Sequence, residues 1–155
     1  MTASPRPLRS VHMLTESVAS GAGDGPTSLY LDTVNARNNF FGSSLLPTHT
    51  DVRRSKASST VHGLTLSALL SMTVEPRAGA HVLIKIDIEG AEYELMNEAY
   101  DSGALCNTVA KGVRVDIRME IHPKKTIGEN ADLERFRSRV RHQLLACGVN
   151  VNVVG

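Results

Sequence analysis

Long apolar runs are missing from this chain of 155 residues. No stretch of about 18 apolar residues occurs, so no membrane span is expected. The N-terminus also lacks the apolar core of a secretory signal. There is no surplus of either charge: 17 basic residues stand against 16 acidic ones. That balance gives no whole-chain steering, and no nucleic-acid partner is expected. With 41% hydrophobic and 21% charged residues, the composition excludes a collagen-like or strongly charged disordered chain. Only two cysteines occur, Cys106 and Cys147. They form no metal-ligand pattern and no disulfide framework, so the expectation is two small, partly buried thiols of the kind kept in a reducing compartment.

What is there amounts to one domain, large enough to bury roughly 70% of its unfolded surface. Residues 1–13 carry Arg6, Arg9 and His12, two prolines and little periodicity. They read as a disordered segment over 1–14 rather than a transit peptide, ahead of a domain over 15–155. Short strands are expected over 12–18, 28–31 and 61–65. The glycine-rich stretch 21–25 should form a turn, and 51–59, with Arg53, Arg54 and Lys56, a solvated connector. Ser67 can cap a short helix running to Met72.

From residue 81 the patterning sharpens. Residues 81–88 are a near-continuous apolar run, as in a strand covered on both faces. Gly90 breaks the run, and 91–102 has a helical stripe that includes Ala91, Leu95 and Ala99, stopped by Gly103. Residues 113–122 alternate strictly, with Arg114, Asp116, Arg118, Glu120 and His122 on the polar side. Asn130 can cap a helix whose stripe is Leu133, Phe136, Val140 and Leu144, and a last strand follows over 149–154. Arg135, Arg137, Arg139 and Arg141 spread over that helix and read as solvated. A β-α-β-α-β order predicts an α/β fold with a parallel sheet.

Such sheets bind ligands at the carboxyl ends of their strands. If strands 81–88 and 113–122 are parallel neighbours, Asp87, Glu89, Glu120 and His122 meet at one rim. There they can bind a cation, act as a base or position a hydroxyl. Asp87 or Glu89 can equally serve only the helix start. Glu92, Glu94 and Glu98 read as a solvated helix face.

The segment Ile84-Lys85-Ile86-Asp87-Ile88-Glu89-Gly90-Ala91-Glu92 closely resembles the signature of FkbM-type methyltransferases, in which an apolar strand enters an Asp-x-Glu-Gly-x-Glu turn and then a helix. Leu64-Thr65-Leu66, Gly42-Ser43-Ser44-Leu45, 102–106 and Met119-Glu120-Ile121-His122 resemble further family segments in order, the last two in the manner of its eukaryotic branch. The resemblance is to the C-terminal part of the domain. It implies a Rossmann-like class I methyltransferase sheet with helices on both faces, incomplete because its N-terminal strands are missing. It implies S-adenosylmethionine as cofactor, near Asp87, Glu89 and Gly90, with Glu120 or His122 as base or acceptor contact. The acceptor would be a small-molecule or sugar hydroxyl.

Gly21-Ala22-Gly23-Asp24-Gly25 has the spacing of the family's cofactor turn. It lacks the buried strand before and the helix after it, so it is placed instead as a hairpin. With that turn missing, a non-catalytic fragment or interaction module is the alternative. Such a module could pair with another chain through the edge exposed at strand 81–88. Metal-assisted hydrolysis or phosphoryl transfer by Asp87, Glu89, Glu120 and His122 is a third reading, without a tight ligand motif to support it.

Overall fold

The computed structural model describes residues 14, 17–34, 37, 42–73, 77–120, 122 and 130–154. The expected N-terminal segment, apart from Leu14, lies outside them. The described chain is mixed α/β, with two three-stranded sheets in place of one continuous sheet.

The first sheet holds β1 (Ser17–Ala19), β2 (Gly25–Tyr30) and β3 (Ser58–Leu64) in the order β1-β3-β2. β1 runs parallel to β3 and β2 antiparallel to it. The hairpin expected around the glycine stretch is therefore corrected: β1 and β2 flank β3 and do not pair with each other.

α1 (Leu66–Thr73) follows β3. Its cap is Thr65, whose Oγ1 accepts the Ala68 N–H at 3.1 Å. The expected cap, Ser67, instead donates to Glu98 Oε1 at 2.7 Å. Thr65 is itself held, because Asp24 Oδ1 accepts its N–H at 2.6 Å. That bond holds the Asp24 carboxyl below its usual range.

The second sheet is parallel, in the order β4 (His81–Ile86), β5 (Arg114–Glu120), β6 (Asn150–Val154). Between β4 and β5 lie α2 (Glu92–Asp101) and α3 (Ala104–Ala110). Gly103, at φ +71, ends α2 and opens α3. α3 has no sequence counterpart above: its seven residues are too few for periodicity, and only Leu105 is fully buried. A long helical segment precedes β6: α4 (Asn130–Arg135), a π-helical stretch (Phe136–Val140) and α5 (Arg141–Ala146).

One face of this sheet carries the core. Val113, Val115, Ile117 and Met119 are buried and belong to one cluster with Leu66, Leu70, Leu95, Met96, Leu105, Phe136, Val140 and Leu144. All the described helices thus feed one face. The expectation of helices on both faces fails here because the other face is polar. On it, Asp116 joins His81 at 2.6 Å, Arg114 at 2.8 Å and Asn150 at 3.1 Å across three strands. β4 is accordingly an edge strand with alternating exposure, and Leu83 on the open face is 65% exposed.

The cysteine reading is also corrected. Cys106 of α3 and Cys147 at the end of α5 form a disulfide, with Cα atoms 5.6 Å apart, and no free cysteine remains. Parallel pairing of β5 with both neighbours sets their helices side by side, and a Cβ on Gly148 would lie 3.2 Å from Val109 of α3.

Gly21 fixes how the first sheet meets α2. A Cβ there would lie 2.4 Å from the backbone carbon of Glu94. Gly21→Ala is expected to cost about 1–3 kcal/mol, because neither backbone can yield freely. A urea melt matching wild type would show that this crossing is loose. Gly21 therefore packs against protein, and strand β2, not a helix, follows the turn.

Candidate active site

The site is built on the loop between β4 and α2. After Ile86 the chain leaves the ladder, and Glu89 and Gly90 turn it at φ +51 and +97. Glycine takes such values readily; glutamate rarely does. A strained, non-glycine residue in a turn of this kind is a pointer to function.

Glu92, in the first turn of α2, holds the loop. It is 0% exposed. Its Oε1 accepts the Gly90 N–H at 3.0 Å and the Ile88 N–H at 3.3 Å, and meets His122 Nδ1 at 2.8 Å. The reading of Glu92 as solvated is thus overturned. A carboxylate at a helix N-terminus, reaching back to free N–H groups, is favoured by both the bonds and the dipole. A signal was present: Glu92 sits three, four and seven residues before Leu95, Met96 and Ala99, on the buried stripe. It is also the second glutamate of the signature.

Parallel pairing of β4 with β5 brings the predicted residues to one rim. His122 Nε2 lies 3.6 Å from Glu89 Oε1, 3.9 Å from Asp87 Oδ1 and 4.0 Å from Glu120 Oε1. Asp87 also pairs with Lys85 at 3.0 Å. Asp87, Glu89, Glu120 and His122 thus converge, and Gly90 lies buried in the turn beneath them.

Two further residues join from the loop after β2. Ser44 Oγ donates to the Glu89 carbonyl at 2.6 Å, tying the Ser-Ser-Leu loop to the turn. His49 places Nε2 3.9 Å from Glu89 Oε2. Nothing local in the sequence marks His49; its place depends on how that loop folds back.

Burial raises the Glu89 carboxyl above its usual range, against the pull of His122 and His49. Burial works against a charged His122 ring. The Glu92 hydrogen bond and the charges of Glu89, Glu92 and Asp87 outweigh it and raise that pKa. A hydrogen-bonded imidazole among carboxylates, at the carboxyl end of a parallel sheet, is the arrangement of a site that binds a cation or moves a proton.

A family model described as the methyltransferase FkbM domain matches residues 4–148, nearly the whole chain. The chain belongs to that family. No curated protein and no solved structure matches it. No described helix is long and apolar enough to cross a membrane.

Proposed function

We propose that this chain transfers a methyl group from S-adenosylmethionine to a hydroxyl oxygen of a small molecule or sugar, on a Rossmann-like class I sheet. The observation that carries the reading is the convergence of the Asp-x-Glu turn with Glu120 and His122 at one strand-end rim. Family membership supports the reaction type.

The residues fit the cofactor in part. Its methionine end carries a sulfonium and an ammonium group, and the acidic pair Asp87 and Glu89, with the turn at Gly90, suits those charges. When bound, the cofactor supplies an electrophilic methyl carbon. The chain's own task is to hold an acceptor hydroxyl in line and take its proton. Glu120 and His122 are the groups in place for that. His122 is positioned by Glu92, which meets Nδ1 and leaves Nε2 facing the rim.

One observation favours a second reading. Gly21 packs against α2 rather than facing a ligand cradle, and strand β2, not a helix, follows the 21–25 turn. A non-catalytic module that keeps the fold would fit this, pairing with another chain along the edge of β4.

Titration of S-adenosylhomocysteine, the product, into the folded chain by calorimetry separates the two. Saturable micromolar binding is expected. A folded chain that binds none is the module. Loss of turnover in Glu120→Gln or His122→Ala, with binding of the product retained, would place those residues on the acceptor side.

A further inference from the structure

One peptide group in the turn after β4 is held at both ends by different parts of the chain. The Glu89 carbonyl accepts the Ser44 hydroxyl at 2.6 Å. The N–H at the other end of that peptide, on Gly90, donates to Glu92 Oε1 at 3.0 Å. A peptide group is planar, so fixing its oxygen and its nitrogen fixes the rotation on either side of it. Those rotations are ψ of Glu89 and φ of Gly90. Glu89 sits at φ +51, and a left-handed glutamate persists only where its surroundings over-determine it.

Ser44 can bear that role because it is itself fixed. It is buried, and its backbone is bridged to β2: the Tyr30 N–H donates to the Ser44 carbonyl at 2.8 Å and the Ser44 N–H to the Tyr30 carbonyl at 3.0 Å. Its Oγ accepts the Leu46 N–H at 3.1 Å, and its one hydroxyl proton goes to Glu89. From the same loop, His49 faces the carboxylate of that glutamate. The His49 N–H donates to the Leu46 carbonyl at 3.1 Å, and its buried ring places Nε2 3.9 Å from Glu89 Oε2. The other oxygen, Oε1, faces His122 Nε2 at 3.6 Å. The Glu89 carboxylate thus stands between two imidazoles, one from the loop after β2 and one from the end of β5.

We propose that Ser44 and His49 are positioning residues for Glu89, through which the loop after β2 sets the grip on the amino-acid end of the cofactor. The inference rests on the methyl-transfer reading, in which Asp87 and Glu89 suit the ammonium group. Ser44 holds the backbone from which the Glu89 side chain projects, and His49 holds one of its oxygens. Neither acts on the cofactor directly. Without Ser44, the Glu89–Gly90 peptide keeps only its Glu92 bond. The left-handed backbone then relaxes, and the carboxylate leaves the gap between His49 and His122. The nucleoside end of the cofactor, which Glu89 does not serve, keeps its contacts.

The test compares two ligands by calorimetry: S-adenosylhomocysteine, and methylthioadenosine, which keeps the nucleoside and the sulfur but lacks the amino-acid end. The wild-type chain should bind the first more tightly. Ser44→Ala should weaken S-adenosylhomocysteine by about tenfold, as for one buried hydrogen bond, and leave methylthioadenosine within about twofold. Glu89→Gln should show the same pattern. Adding Ser44→Ala to it should weaken binding no further, because Ser44 acts through Glu89. His49→Leu, which fills the buried space without a polar atom, should weaken S-adenosylhomocysteine alone by about threefold. Should Ser44→Ala fail to fold, His49→Leu decides by the same comparison. Equal weakening of both ligands in a folded variant, or unchanged affinity for S-adenosylhomocysteine, overturns the proposal. So does a wild-type chain that binds both ligands alike, which leaves the methyl-transfer reading standing. A folded wild-type chain that binds neither ligand removes that reading and the inference with it.

Discussion

Glu92→Ala is expected to destabilise the chain by on the order of 3 kcal/mol, more than any surface substitution. One carboxylate oxygen serves two backbone donors and the His122 ring, and the side chain is 0% exposed. Truncation strands the buried Gly90 N–H and leaves His122 among Asp87, Glu89 and Glu120 without the group that orients it. For a domain of this size the melting temperature should fall by about 10 °C. Glu92→Gln keeps an acceptor oxygen and should cost less. Glu94→Ala, on the same helix but partly exposed, should change stability by less than about 0.5 kcal/mol. If Glu92→Ala melted with the wild-type chain, the loop would be held by something else. Because the same oxygen sets the His122 tautomer, the variant should also lose rim chemistry at temperatures where it remains folded.

The second large effect is on the disulfide. Cys106 and Cys147 are 41 residues apart in sequence, and closing a loop of that length removes unfolded-state entropy equivalent to about 4 kcal/mol. Reduction, or the double change Cys106→Ser and Cys147→Ser, should lower the melting temperature by about 10 °C. The oxidised chain should take up no thiol reagent until it is reduced. The double variant should melt at the same temperature with and without reductant. Rapid labelling of both cysteines in the unreduced, folded chain would contradict the bridge. The bridge stands in place of the two partly buried thiols expected from two scattered cysteines.

Much of the second sheet was legible in the sequence because its cause is local. The alternation from Val113 to Met119 survives as a buried row because side chains two apart share a face. Phe136, Val140 and Leu144 are buried because helical spacing alone puts them on one side. The convergence of Asp87, Glu89, Glu120 and His122 needed one further step, parallel pairing, and the β-α-β order made that the natural topology.

Where the reading failed, the cause lay outside the segment being read. Ile84 and Leu83 are equally apolar, yet Leu83 is 65% exposed, because whether a strand face is covered depends on other elements. Glu92 looked solvated by residue type; its burial follows from free N–H groups in a turn two residues upstream. His49 and Ser44 reach the rim only because a loop about 40 residues before Glu89 folds back on it. Cys106 and Cys147 meet because two helices flank neighbouring strands, a proximity that spacing along the chain does not record. Period and turn chemistry along the chain account for the parallel β-α-β unit, its core stripe and the acidic turn at its strand end. Which faces are covered, which cysteines pair and which buried groups stand behind the rim follow from packing in three dimensions, because those depend on distances between segments that share no local pattern.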